Sequence, residues 1–256
     1  MSFLRNAWYV AMWSENLVLG EPQERTLLGE KLVIYRSLQG EVTALGNRCP
    51  HRFAPLHMGK VCPNGNLRCG YHGLEFDSTG KCTRNPHGPI SSALSVRSYP
   101  SVEKYGAVWV WMGNLPVDIK ALPALDILDT APPADVTYRD CVRMEAHYEL
   151  VMNNLMDLSH VPFLHSGLLG NEQTVAAELK VQQAGDRVTA TRYMKSVASV
   201  PFFDMLFRRD GAPVDHWNSM TWSAPACLIN DSGVVAPGEP KAQGTGVLGL
   251  HLLTPE

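Results

Sequence analysis

No run in the 256-residue chain approaches the ~18 consecutive apolar residues of a membrane-spanning helix, and the N-terminal MSFLRNAWYV lacks the charged, apolar and small-residue regions of a secretion signal. Both absences predict a soluble, cytoplasmic protein. A basic footprint is missing as well: the formal net charge is -3, and the 22 Lys and Arg residues are scattered. That pattern argues against nucleic acid and leaves a small molecule or a protein as partner. Six cysteines are too few for a disulfide scaffold in a chain this long. In a reducing compartment they are core residues or metal ligands. There are no internal repeats or low-complexity tracts, and no cap or tail follows HLLTPE.

Short strand patterns fill the first part of the chain: KLVIYR (31 to 36), EVTAL (41 to 45), LEFD (74 to 77) and AVWVWMG (107 to 113), punctuated by Gly, Pro and Asn. Residues 115 to 135 are rich in Pro and Asp and read as a connection, so two domains are expected, 1–115 and 116–256. In the second, YRDCVRMEAHYE alternates as a strand, and HYELVMNNLMDLSH reads as a helix stopped by Pro162. RVTATRYMK, SMTWSAPACLI and GVLGLHLL read as further strands. The expected class is α+β: an all-β domain, then a mixed domain with an antiparallel sheet and helices.

Two loops carry the first chemical signal. RCPHRFAPLHMG places Cys49 and His51 one residue apart, RCGYHGLEF places Cys69 and His72 two apart, and seventeen residues separate the pairs. Two thiolates and two imidazoles on Gly- and Pro-containing loops can converge on one metal centre. Buried cysteines beside surface histidines would explain either pair alone, but explain both poorly. Structural zinc favours paired Cys-x2-4-Cys spacing, which is missing. A two-iron, two-sulfur cluster with two Cys on one iron and two His on the other takes one of each from each loop, and fits the spacing best.

CPHRFAPL followed by CGYHGLEF resembles the Rieske motif of aromatic-ring-modifying non-haem iron oxygenases. Respiratory Rieske proteins carry an extra, disulfide-forming cysteine in each loop, where this chain has Ala54 and Tyr71. Cys62, Cys82, Cys141 and Cys227 fall outside the motif and read as structural. His57 and His87 lack ligand spacing and read as surface or hydrogen-bonding residues.

A second signal lies in NNLMDLSHVPFLHS. On a helix, Glu149, Asn153, Asp157 and His160 would form one polar stripe among apolar residues. His165 would lie about 140° around from His160 by the ~3.6-residue period, unless Pro162 lets the chain fold back. Two His and one carboxylate are the ligands of mononuclear non-haem iron oxygenases, although His-x4-His alone is weak evidence. NNLMDLSHVPFLH is also similar to the catalytic helix of Rieske oxygenases. That resemblance implies that His160 and His165 hold a mononuclear Fe(II), and that Asp157 bridges His160 to His72 of a neighbouring subunit in a ring-shaped homotrimer. It puts the third ligand on an aspartate helix further downstream. Asp204, Asp210, Asp215 and Asp231 do not match it, so a ligand beyond residue 256 is expected.

The resemblance runs from FLRNAWYVA through NPHG to HLLTPE and is nearest to the vanillate and dicamba O-demethylase branch. It implies a monooxygenase component that uses O2 and electrons originating in NADH or NADPH, delivered by a ferredoxin or flavin reductase. The methoxy carbon of an aromatic carboxylate is hydroxylated and lost as formaldehyde. Asn230 and His251 resemble pocket residues that hold the substrate carboxylate. The alternatives are an aromatic methyl hydroxylase of the toluenesulfonate type and a Rieske electron carrier without oxygenase activity.

Overall fold

The computed structural model describes residues 3–129 and 137–256; the 130–135 end of the expected connection lies outside them. Two units divide the chain, Met1–Met144 with Leu253–Glu256, and Glu145–Leu252.

The first unit is all β. Its strands are β1 (Ala7–Trp13), β2 (Gln23–Leu27), β3 (Glu30–Arg36), β4 (Val42–Gly46), β5 (Lys60–Val61), β6 (Leu67–Arg68), β7 (Glu75–Phe76), β8 (Cys82–Arg84), β9 (Ser98–Tyr99), β10 (Ser101–Lys104) and β11 (Ala107–Met112). They form three sheets ordered β1-β11-β10, β2-β3-β4-β9 and β5-β6-β7-β8. Leu32, Val33, Ile34 and Tyr35 of β3 are all fully buried, so this strand is covered on both faces and reads as an unbroken apolar run. Each such side chain contributes roughly 1.5–3 kcal/mol of transfer free energy. One buried cluster joins Val33, Tyr35 and Leu45 to Cys49, Cys69, Leu74 and Phe76, which anchors both Cys/His loops in the core.

The unit extends past the expected boundary at 115. Trp8 Nε1 donates to the Asp118 carbonyl at 2.8 Å, Tyr105 Oη to Asp126 at 3.1 Å, and Leu122 and Leu125 are buried. The Pro- and Asp-rich segment therefore packs on this unit. The last residues do likewise: Leu28 N donates to Pro255 O at 2.8 Å.

The second unit comprises α1 (Tyr148–Met156), α2 (Val161–Leu164), α3 (Glu172–Ala176), β12 (Leu179–Ala184), β13 (Arg187–Val197), α4 (Pro201–Phe207), β14 (Val214–Ser223), β15 (Cys227–Val235) and β16 (Thr245–Leu252). The five strands form one antiparallel sheet in sequence order. Paired residues share a face. The register therefore puts Arg192, His216, Asn218, Asn230, Ser232 and His251 on one side, where Phe203 of α4 packs on His216 with ring centroids 5.2 Å apart.

Three local expectations need correction. SMTWSAPACLI is a hairpin, with β14 ending at Ser223 and β15 starting at Cys227, because Pro225 has no N–H for a ladder. Residues 138 to 145 pair with no strand despite their alternation, and Cys141 is exposed there, so it packs no core. The expected single helix is two: α1 stops at Met156, and Pro162 sits in the first turn of α2, where its missing N–H costs nothing. The break comes at Asp157, whose Oδ1 accepts from Ser159 N at 2.8 Å and competes with the helical bonds.

Candidate metal centres

The two Cys/His loops are built to the same backbone pattern. In the first, Cys49 N donates to Ala54 O at 2.9 Å and Phe53 N to Cys49 O at 2.8 Å; in the second, Cys69 N donates to Leu74 O at 2.8 Å and Gly73 N to Cys69 O at 3.1 Å. The residue four beyond each cysteine turns left-handed, Phe53 at φ 61° and Gly73 at φ 74°. Phe53 adopts this costly conformation while its ring stacks under the Arg48 guanidinium at 3.9 Å. The loops also meet closely at their backs. A Cβ on Gly70 would lie 2.8 Å from Met58 O, which explains a glycine there.

This scaffold pairs like with like. Cys49 and Cys69 are both buried, both reduced and in thiol contact, and burial followed by the neighbouring Cys69 sulfur pushes the Cys49 thiol up to about 11. Across the loops, the His51 and His72 rings lie edge to face with centroids 4.6 Å apart. His51 Nδ1 is buried without a protein partner. His72 is held below the ordinary histidine range by desolvation, then by the positive charge of His51, His87 and Arg52. His87, read from sequence as a hydrogen-bonding residue, donates from Nε2 to the His72 carbonyl at 2.9 Å and stacks 6.4 Å from His51. The NPHG turn is the sequence signal for it. His57 instead accepts from Asn47 Nδ2 at 2.8 Å.

The second cluster is more open. His160 and His165 cap the two ends of the single-turn α2, with ring centroids 5.3 Å apart. His160 Nδ1 is buried and unpartnered. Asp157 accepts from both N and Oγ of Ser159, which hold its carboxyl below the usual range, and forms no hydrogen bond with His160. Among the described residues, no three of His, Cys, Asp and Glu converge as ligands of a single ion. The four downstream aspartates have other partners: Asp204 accepts from Gly211 N, Asp210 from Ala212 N, Asp215 from Ser196 N and Asp231 from Trp217 Nε1.

On the polar face of the sheet, Asn230 and His251 are diagonal neighbours. A Cβ on Gly249 would lie 3.4 Å from His251 Nε2 and 3.5 Å from Asn230 Cβ, so this glycine leaves room between them. Asn230 Nδ2 donates to Asn218 Oδ1 at 3.2 Å, and Ser232 Oγ donates to Asn230 Oδ1 at 2.8 Å. Burial lowers the pKa of His251, so the imidazole is neutral near pH 7 and still carries one N–H donor. Arg192, His216 and Asn218 share this face and were missed in the sequence; their period-2 placement on β13 and β14 was the available signal.

Residues 7–100 match the Rieske [2Fe-2S] domain model, and residues 144–256 match the vanillate O-demethylase oxygenase C-terminal domain. The dicamba O-demethylase oxygenase component of Stenotrophomonas maltophilia is 37% identical over 259 residues, spanning 100% of this chain and 75% of that protein. The chain belongs to the Rieske non-haem iron oxygenase family. The vanillate O-demethylase oxygenase subunit of Pseudomonas sp. (strain HR199 / DSM 7063) is 33% identical, over 99% of this chain and 73% of its own length. A crystal structure of dicamba monooxygenase with non-haem iron and dicamba superposes with a TM-score of 0.83 at 37% identity, covering 100% of this chain and 74% of that one.

Membership in the Rieske oxygenase family makes the chain an oxidoreductase of the monooxygenase class and gives it a [2Fe-2S] domain and a non-haem iron domain. The donors suit both groups. A thiol pair beside an imidazole pair matches a two-iron cluster rather than a single ion, and the orphaned Nδ1 atoms of His51 and His160 are buried donors in need of a partner. Among the described residues no helix is long and apolar enough to cross a membrane.

Proposed function

We propose that the protein is the oxygenase component of a Rieske monooxygenase system that removes the methyl group of a methoxylated aromatic carboxylate as formaldehyde. The reading is carried by one observation: a chain with paired thiols and paired imidazoles on Rieske loops holds a second, half-exposed imidazole pair downstream. An electron relay thereby acquires a destination. Identity of 37% to a dicamba O-demethylase oxygenase component supports the reaction type.

In this reading Cys49 and Cys69 hold one iron of the cluster, His51 and His72 the other, and His160 and His165 supply two ligands to the mononuclear iron. When bound, the cluster supplies one-electron transfer and the mononuclear iron supplies O2 activation. The chain's own residues do the rest. Asn230 offers its remaining amide N–H and His251 its ring N–H to the substrate carboxylate, while Gly249 between them leaves room for the ring. Asp157, ionised at neutral pH, accepts from His72 of a neighbouring subunit in a homotrimer and orients His160. Electrons come from NADH or NADPH through a flavin reductase or ferredoxin, in the cytoplasm.

The test is turnover with a panel of methoxybenzoates, a reductase and O2, with formaldehyde trapped. Formaldehyde and phenol in equal amounts are expected. Ring diols, or a hydroxymethyl product without formaldehyde, would contradict the proposal.

A further inference from the structure

Arg192 is the most heavily buried cation on the polar face of the second unit's sheet, at 7% exposure. Removing a guanidinium from water costs several kcal/mol on the order of magnitude seen for buried ions, unless close partners offset it. Among the described residues no carboxylate pairs with it. Its Nη1 donates instead to two backbone carbonyls, Leu158 O at 3.2 Å and Thr174 O at 3.1 Å, and its Nε is buried without a partner.

The carbonyls belong to two segments that nothing else on β13 ties together. Leu158, itself 2% exposed, lies in the turn between Asp157 and His160. Thr174 belongs to α3, whose start is fixed by the Asn171 capping box. The turn has little other support, because α1 ends at Met156 and α2 begins only at Val161. Across the sheet, Arg192 pairs with Asn218, whose Oδ1 accepts from Asn230 and Ser232.

We propose that Arg192 is a positioning residue for the iron ligands: by clamping the Leu158 carbonyl it fixes the direction in which His160 and Asp157 leave the turn. The inference rests on the reading of His160 and His165 as iron ligands. A merely structural Arg192 would support the fold and leave the iron's surroundings alone.

The full chain with its cluster is loaded with Fe(II) and treated with nitric oxide, and the electron paramagnetic resonance signal of the ferrous nitrosyl is compared with that of the reduced Rieske cluster. In Arg192→Met, Fe(II) affinity is expected to fall about tenfold or more, the range for removing a group that orients a ligand. Its nitrosyl signal should broaden while the Rieske signal is unchanged. Arg192→Lys, which keeps the charge and one donor, should recover part of the affinity; it also carries the test if the Met variant fails to fold. Parental affinity and nitrosyl line shape in these variants, with or without a lower melting temperature, would overturn the positioning role. A parent chain that takes up no Fe(II) beyond its cluster would instead remove the iron-ligand reading, and the inference with it.

Discussion

The two candidate centres are made of similar side chains and built in opposite ways. Cys49, His51, Cys69 and His72 hang on two copies of one loop, each closed by two backbone hydrogen bonds and rooted in the core. His160 and His165 sit at the ends of a four-residue helix, next to exposed Phe163 and Leu164, with a single turn and one buried guanidinium behind them. A group that only passes an electron benefits from donors that do not move. A centre that must admit O2 and a substrate needs open positions, and its rigidity has to come from outside the ligand set.

The largest predicted effect lies in the rigid centre. Cys69→Ser should abolish the Rieske absorption and paramagnetic signal altogether, and leave the second unit's fold, read by circular dichroism, intact. Retention of the signal would erase the contrast. His160→Ala should do the reverse, lowering iron from about three atoms per chain to about two with the Rieske signal preserved. Buried His216 gives a third test. Desolvation lowers it from 6.5 to about 4. A neutral imidazole is therefore favoured in the folded state, and its stability contribution is complete above pH 6.5 and declines as pH falls toward 4. The loss is on the order of 3 kcal/mol in full. His216→Phe should flatten that acid limb in melts of the second unit, and an unchanged limb would refute it. The smallest effect is expected for Gly70→Ala, whose Cβ meets Met58 O at 2.8 Å. A cost of roughly 1–3 kcal/mol should appear as earlier cluster loss on heating, with iron at the second centre unaffected.

Much of this was legible in the sequence because the chemistry is local. Cys-x-His and Cys-x-x-His name four donors within two short loops, and backbone geometry alone brings them together. The β-rich first unit and the antiparallel second sheet could be read from alternation and turn residues. What failed depended on competition between local and distant bonds. Asp157 breaks the helix because its carboxylate prefers Ser159, which no apolar period reveals. Pro225 hides a hairpin inside one apolar run. Residues 116 to 129 were assigned to the second domain, whereas Trp8 and Tyr105 hold them on the first unit. Arg192 and Asn218 were invisible because their meaning lies across strands, in a register set by the whole sheet.

The central claim, a relay and a destination in one chain, is tested most directly by iron content per chain measured alongside paramagnetic resonance. About three irons, with a Rieske signal on reduction and a separate ferrous nitrosyl signal, is the predicted result. About two irons with the Rieske signal alone would mean an electron carrier, and a colourless zinc protein would contradict both centres.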